Sequence, residues 1–140
     1  MFILPTKWNF IAKSFEALSS ILDRMYNDIY TEVLDIRTII WIEVTSFSNS
    51  WVNYGGGFPN AAYCKSASGI VSLKGLIKSG TVTSAAFTLP VGFRPLEQNN
   101  FIVDSNGALG ILVVSSNGEV NPNSGNNGYF WLSGITFYAG

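Results

Sequence analysis

The fold is decided first by residues 8–39, which read WNFIAKSFEALSSILDRMYNDIYTEVLDIRTI. Apolar residues recur in this stretch at alternating spacings of three and four, which is the seven-residue period of a coiled coil. The predicted seam contains Trp8, Ile11, Phe15, Leu18, Leu22, Met25, Ile29, Ile36 and Ile39. Glu32 is the one polar residue at a seam position. We therefore predict a helix from Trp8 to Thr38 that needs partner helices along its apolar stripe.

The residues at the core positions of this seam also predict the number of helices. Isoleucine occurs at both core positions of the repeat, and further apolar residues flank them, which widens the stripe beyond a two-stranded seam. The flanking apolar residues are Ile21, Tyr26, Val33 and Ile40. We predict a homotrimer, and the alternative is an ordinary amphipathic helix that folds against its own domain.

The first segment, MFILPTKW, is short, apolar and aromatic. Pro5 opposes extension of the helix into the residues that precede the proline. This composition favours a peptide that anchors the chain on a larger assembly. A frayed chain end is the alternative, and the sequence supports both equally. The segment lacks the apolar core of a secretory signal, and no stretch reaches the ~18 apolar residues of a membrane span. We expect no membrane insertion. We divide the chain into an attachment peptide and helix at 1–40 and a β-rich head at 41–140.

The region after the helix has strand composition and turn signals. Asn106-Gly107 and Asn117-Gly118 are hairpin dipeptides, and they predict that residues 108–115 pair with 100–104 on one side and with 119–120 on the other. Further strands are predicted within IIWIEVTSF from residue 39 and at 62–65, 70–79, 84–89 and 129–138. We predict a mainly β fold with an N-terminal α-helix, in which a trimeric coiled-coil stalk carries an antiparallel β-sandwich or jelly-roll-like head.

Charge is scarce and unevenly placed in this chain. The net charge is −1, which gives no field to attract nucleic acid. Ten charged residues lie between Lys7 and Glu43, whereas the 97 residues from Val44 onward carry seven. Because residues 109–114 and 130–138 are apolar on both strand faces, we expect part of the head to face sister subunits.

The residues that most enzymes use are missing. The chain has no histidine, so the commonest general base near neutral pH and the Ser-His and Cys-His pairs are excluded. One cysteine, Cys64, cannot build a zinc site or an intrachain disulfide, and we expect it to be a buried structural thiol. We predict no enzyme, no cofactor and no metal. A glycosidase would need two of Glu97, Asp104 and Glu119 close together.

Two loops contain the residue types that bind sugars, namely aromatic rings together with amide and hydroxyl groups. The predicted rim residues are Trp51, Tyr54 and Phe58 in the first loop and Asn123, Asn126, Asn127, Tyr129 and Trp131 in and after the second. Both tryptophans are also good core residues. Arg94 can grip an anion, but a structural role on backbone carbonyls is the favoured interpretation.

Two neighbouring motifs suggest a family. The strand Gly69-x-Val71-x-Leu73-x-Gly75 precedes the turn Leu89-Pro90-Val91-Gly92-Phe93-Arg94-Pro95, with Trp51, Tyr63 and a closing segment at 132–138 around them. Over about residues 41–140 the chain resembles the C-terminal head domains of tailed-phage tail fibres and baseplate receptor-binding proteins. The resemblance implies trimeric β heads on a stalk, many of which bind host-surface glycans.

On this basis we expect a virion fibre or baseplate tip on the tail or capsid surface, assembled in the host cytoplasm. Its expected partners are further copies of itself, other virion proteins through the N-terminus, and a host glycan. The alternative is a purely structural virion component, such as a capsid head fibre or a trimer cap. A trimeric head of non-viral origin shares the same fold pattern.

Overall fold

A computed structural model describes residues 6–37 and 39–140 of the chain. The chain divides into two compact units, Met1–Thr38 and Ile39–Gly140. The fold is mainly β, with three antiparallel sheets in the second unit and one helix in the first. Residues 1–5 of the predicted attachment peptide MFILPTKW lie outside the described residues, as do the side chains of Trp8 and Ile36, whereas residues 6–8 belong to the helix.

The predicted helix is present as α1, Thr6–Arg37. Its 32 residues span about 48 Å at 1.5 Å per residue. The predicted seam residue Ile39 lies beyond α1 and is not helical, so the prediction was wrong for this residue. Ile39 and Ile40 are both β-branched, which favours an extended backbone.

Taken by itself, α1 exposes its apolar stripe. The described seam residues with large exposed side chains are Phe15, Leu18, Leu22, Met25 and Ile29, each more than half exposed. Tyr26 and Tyr30 stack on one another with centroids 6.0 Å apart, as residues four apart on a helix can. The helix itself therefore offers no cover for its stripe.

The second unit contains eleven short strands. They are β1 (Ile42–Glu43), β2 (Val52–Asn53), β3 (Ala62–Lys65), β4 (Ile70–Lys74), β5 (Leu76–Lys78), β6 (Phe87–Thr88), β7 (Asn99–Ser105), β8 (Ala108–Val114), β9 (Glu119–Ser124), β10 (Phe130–Trp131) and β11 (Thr136–Tyr138). The first sheet has the order β1-β3-β4-β11, the second β10-β5-β2 and the third β6-β9-β8-β7.

Both predicted long strands, 70–79 and 129–138, are broken in the middle. Gly75 has φ 117° and separates β4 from β5. A Cβ on Gly75 would lie 2.6 Å from the backbone of Ala61, so only glycine fits there. Opposite this bend, Leu132 N–H donates to the Gly75 carbonyl at 2.9 Å, and the Ser133 hydroxyl accepts from Gly75 N–H at 3.1 Å. The paired segments thus pass together from the first sheet to the second.

The predicted hairpins of the third sheet are confirmed. Asn106 and Gly107 both have positive φ, 53° and 79°, and β7 pairs with β8 from Asn99↔Val114 to Ser105↔Ala108. At the second turn only Gly118 has positive φ, 94°, whereas positive φ was also expected at Asn117. The Asn117 side chain instead accepts from Glu119 N–H at 3.1 Å, which closes the turn locally.

Predicted strand boundaries were wrong in several places, and the strand expected at 84–89 is reduced to β6. The strand expected within residues 39–47 is reduced to β1, and the exposed Ile42 and Glu43 pair with Tyr63 and Ala62. Residues 121–124 were expected to be loop but belong to β9, where the buried Pro122 lies opposite Leu112 next to a register shift. A proline is accommodated in a strand at such an irregularity because the ladder is already interrupted there.

The core lies in the second unit and is aromatic at its centre. Trp51 is 1% exposed and meets the edge of Phe130 at a centroid distance of 5.6 Å. Gly80 permits this packing, because a Cβ there would lie 2.1 Å from the Trp51 ring. Cys64 is buried and unpaired, as predicted for a structural thiol.

Candidate functional site: an aromatic row and its groove

The two predicted rim loops meet in the structure. Tyr54, from the first loop, packs edge to face on Tyr129, from the second, with centroids 6.2 Å apart. Phe58 packs on Tyr54 at 5.2 Å and on Trp131 at 5.9 Å. Tyr129, Tyr54, Phe58 and Trp131 therefore form one continuous arrangement, which we call the aromatic row.

The second sheet positions this row. Strand β5 lies between β2 and β10, and Asn53 and Phe130 both pair with Ile77. Tyr54 follows β2 directly, and its N–H donates to the Leu76 carbonyl at 2.9 Å. Tyr129 precedes β10, so the shared central strand brings residues from both loops to the same place.

A turn of three glycines reverses the chain direction between Tyr54 and Phe58. Gly55, Gly56 and Gly57 have φ of 75°, 63° and 87°. This backbone is one that other residues rarely adopt, and Phe58 N–H donates back to the Gly55 carbonyl at 3.2 Å. The turn leaves the Phe58 side chain 45% exposed, and Tyr54, Tyr129 and Trp131 are half-buried.

Charged groups flank the row at one end. The Lys78 ammonium lies 4.7 Å from the Tyr54 ring centroid, in a cation–π contact. The Tyr129 hydroxyl donates to Asp104 Oδ2 at 3.4 Å, and Asp104 Oδ1 accepts from Gly107 N–H at 2.9 Å. Asp104 is exposed, so its carboxylate remains open to solvent beside the rings.

A shallow groove of about 430 Å³ runs beside Trp131. Its walls come from β7 and from the bend between β10 and β11, and they include apolar, hydroxyl and carboxylate groups. The lining residues are Phe101, Ile102, Val103, Asp104, Trp131, Ser133, Gly134 and Ile135. Its volume falls within the range of small-molecule sites, and its lining mixes an indole with hydrogen-bonding groups.

Trp51 does not belong to this surface. It was predicted as a rim residue, but it is 1% exposed and its indole N–H donates to the Thr81 carbonyl at 3.3 Å. Its ring covers Phe130 and Gly80 in the core, so no ring face is left for a ligand. The alternative interpretation of Trp51 as a core residue is the one that the burial supports.

The three asparagines of the predicted rim have different environments. The Asn127 side-chain amide donates to the Gly80 carbonyl at 2.9 Å, and the Asn127 backbone carbonyl accepts from Ser79 N–H at 2.8 Å. Asn126 accepts from Gly128 N–H at 2.8 Å and exchanges backbone bonds with the buried Ser105 hydroxyl. Both therefore hold the loop that presents Tyr129. Asn123 is exposed on β9, in the third sheet.

Sequence reasoning missed Lys78, Ser133 and, as a binding residue, Asp104. Lys78 is in the second sheet, whereas Lys65 and Lys74 are in the first. Lys65 donates to the Gly92 and Gly140 carbonyls, and Lys74 lies 4.5 Å over Trp41. No local signal in the sequence places Asp104 beside Tyr129, because 25 residues separate them.

Arg94 has the structural role that was favoured for it. Its Nε donates to the Leu89 carbonyl at 2.8 Å and closes the Leu-Pro-x-Gly-Phe-Arg turn. Gly118 packs against this side chain, since a Cβ there would lie 2.7 Å from Arg94 Nε. The neighbouring Phe93 meets Tyr63 edge to face at 4.9 Å.

The strand register separates two of the carboxylates that a glycosidase would need. Val114 pairs with both Asn99 and Val120, so Glu119 lies at the Asn99 end of the third sheet. Asp104 is five residues further along β7, a distance of about 17 Å at ~3.4 Å per residue. A hydrolytic pair needs ~5–10 Å, so Asp104 and Glu119 of one chain do not form it.

Comparisons with known protein families, with curated proteins and with solved structures find no match to this chain. Within residues 6–37 and 39–140, no helix combines the length and apolarity needed to cross a membrane. The same described part of the chain contains no group of three or more Cys, Asp or Glu residues placed to hold a metal ion.

Proposed function

We propose that this chain is a non-enzymatic, homotrimeric phage virion protein, a fibre or baseplate tip, that binds a saccharide on the host cell surface through its β-rich unit. The observation that carries the proposal is the convergence of both sugar-recognition loops in the aromatic row. Four of the predicted rim residues contribute to it: Tyr54, Phe58, Tyr129 and Trp131. In this proposal the N-terminus attaches to other virion proteins, and the particle is assembled in the host cytoplasm.

The chemistry of the groove supports a saccharide as the ligand class. A sugar ring presents C–H groups that pack on aromatic faces and hydroxyls that need donors and acceptors. The half-buried Trp131 supplies a ring, and Asp104 and Ser133 supply polar groups in the same groove. Nothing in this arrangement requires a strongly charged ligand.

The exposed stripe of α1 supports the trimeric part of the proposal. Its side chains repeat with the coiled-coil period and are covered by nothing on the helix itself. In three copies, α1 forms the coiled-coil stalk, and the β-rich units form sandwich or jelly-roll-like heads. A shallow open groove binds a single sugar weakly, and three grooves on one stalk raise the avidity on a dense glycan surface.

A polysaccharide array tests the proposal. Fluorescently labelled full-length protein is applied to immobilised bacterial surface polysaccharides, with Phe58→Ala and Trp131→Ala as test variants. Phe58 is 45% exposed, so its truncation removes a surface ring and leaves the core intact. Trp41→Ala is the matched control. Trp41 is 38% exposed and lies outside the aromatic row, and it contacts Lys74 as Tyr54 of the row contacts Lys78.

We expect the wild type to bind at least one polysaccharide, Trp41→Ala to bind equally, and both row variants to lose most of the signal. By analogy with base stacking on aromatic side chains, each lost ring should cost about 1–3 kcal/mol, a roughly 5- to 150-fold weakening. Equal binding by all four proteins would refute the aromatic row as the binding surface. Absence of binding to every polysaccharide would favour the alternative, a purely structural capping component of the virion.

A further inference from the structure

The third sheet exposes an apolar strip on its outer face. The strip consists of Ile102 on β7 and Leu109 and Ile111 on β8, which are 77%, 80% and 40% exposed. Ile102 and Ile111 are cross-strand partners, and Leu109 lies opposite Asp104. The three side chains are therefore contiguous and not scattered single residues. We call this surface the outer strip.

The surroundings of the outer strip suit contact with another protein surface. The four strands of the third sheet carry only two charged residues, Asp104 and Glu119, and neither is a cation. Strand β7 is the outermost strand of its sheet, and it also contacts β10 of the second sheet. Uncharged apolar faces are surfaces through which β proteins associate.

The outer strip is continuous with the groove of the aromatic row. Ile102 belongs to the strip and also lines the groove beside Trp131. Asp104, which accepts from Tyr129, lines both that groove and the shallow hollow that contains Leu109. Whatever covers the strip therefore lies against one wall of the groove.

The size of the strip indicates what covers it. Three partly exposed aliphatic side chains amount to a few hundred Å², whereas a stable independent interface needs ~800 Å² from each partner. A separate protein would not be held by this surface alone. A second copy of this chain would be, if the coiled coil already tethers the copies, because a tether raises the effective concentration to the millimolar range.

We propose that the outer strip of one copy packs against a second copy in the oligomer, so that the groove beside Trp131 lies at a boundary between copies. This inference rests on the proposed homotrimer and deepens it. The neighbouring copy covers the Ile102 wall and encloses a groove that is open in the single chain. The binding site is thus complete only in the assembled protein.

Photocrosslinking in the full-length chain tests this contact. Benzoylphenylalanine replaces Leu109 in one sample and Val91 in another. Val91 is 82% exposed and lies in the turn that follows β6, the strand at the opposite edge of the third sheet from β7. Each labelled protein is mixed with isotopically heavy chain before assembly and irradiated. Mass spectrometry then distinguishes crosslinks between copies from crosslinks within one copy.

We expect position 109 to yield covalent dimers joined to residues of another copy, at a yield independent of dilution, and position 91 to yield few. Oligomers that give no crosslink between copies at position 109 would overturn this inference and leave the proposed function standing. A monomer by sedimentation would overturn both. Crosslinks from position 109 to an added polysaccharide alone would assign the strip to the ligand and also overturn the inference.

A second variant measures the same contact without a label. Leu109 does not line the groove beside Trp131, so Leu109→Asp alters the strip and leaves the groove residues in place. We expect amide exchange in residues 99–105 of the full-length oligomer to become about tenfold faster, since local opening is no longer opposed by the second copy. Val91→Asp is the control. Unchanged exchange in Leu109→Asp would contradict the contact.

Discussion

The two units use apolar residues in opposite ways. Among the described side chains of α1, most of the large apolar ones are exposed, from Val33 at 39% to Phe10 at 73%, and Ile11 is half-buried. In the second unit, residues such as Trp51, Leu73 and Phe130 are at most 2% exposed. A sheet unit can bury one face against another sheet of the same chain, but one helix has nothing of its own against which to bury a stripe. The comparison teaches that the β-rich unit has a buried core of its own, whereas the described part of the helix has none.

Disrupting the helix seam has the largest expected effect. Leu22→Asp combined with Ile29→Asp places two carboxylates per copy in the seam, and burying each costs on the order of several kcal/mol. We expect the oligomer to dissociate into single chains, as measured by sedimentation velocity, while the near-ultraviolet circular dichroism of the β-rich unit stays unchanged.

The control for this experiment adds the same charge elsewhere on α1. Ser20→Asp combined with Asn27→Asp changes exposed positions on the opposite side of the seven-residue repeat. The control should sediment like the wild type. If the seam variant does so as well, the apolar stripe of α1 is not what joins the copies.

The next largest effect belongs to the core of the β-rich unit. Trp51→Ala removes a ring that packs on Phe130 and Gly80, and we expect the free energy of unfolding to fall by about 3–5 kcal/mol. Chemical denaturation followed by far-ultraviolet circular dichroism measures this loss. Trp41→Ala should cost less than Trp51→Ala, because Trp41 is 38% exposed and only its covered part, including the contact with Lys74, is lost. Similar losses in the two variants would mean that Trp51 is not in the core.

The smallest effect distinguishes two glycines of positive φ. Gly56→Ala meets open space, so it should cost only the backbone strain of about 1–2 kcal/mol. Gly75→Ala also drives a methyl group into the backbone of Ala61, which adds about 1–3 kcal/mol. Thermal denaturation of the pair should place Gly75→Ala below Gly56→Ala. The reverse order would contradict the bend between β4 and β5.

The sequence predicts the elements that local chemistry determines. The seven-residue period locates α1 to within two residues of its ends, and the Asn106-Gly107 dipeptide predicts the longest hairpin. The break at Gly75 was missed because its cause is the backbone of Ala61, which approaches only in the folded chain. A periodic pattern does not contain such long-range contacts.

The candidate site was predicted in part for the same reason. Aromatic residues next to glycine and asparagine turns pointed to Tyr54, Phe58, Tyr129 and Trp131, and β5 brings them together. Trp51 has the same local composition around it, yet its ring packs on the distant Gly80 in the core. Asp104 reaches the site through the third sheet, whose position relative to β10 no local signal indicates.

Sedimentation equilibrium of the unmodified full-length protein over a wide dilution series tests the central claim most directly. An exposed seam that unites three helices predicts a mass three times that of the 15.2 kDa chain, maintained on dilution. A mass of 15.2 kDa for protein that retains its helical and β circular dichroism would contradict it.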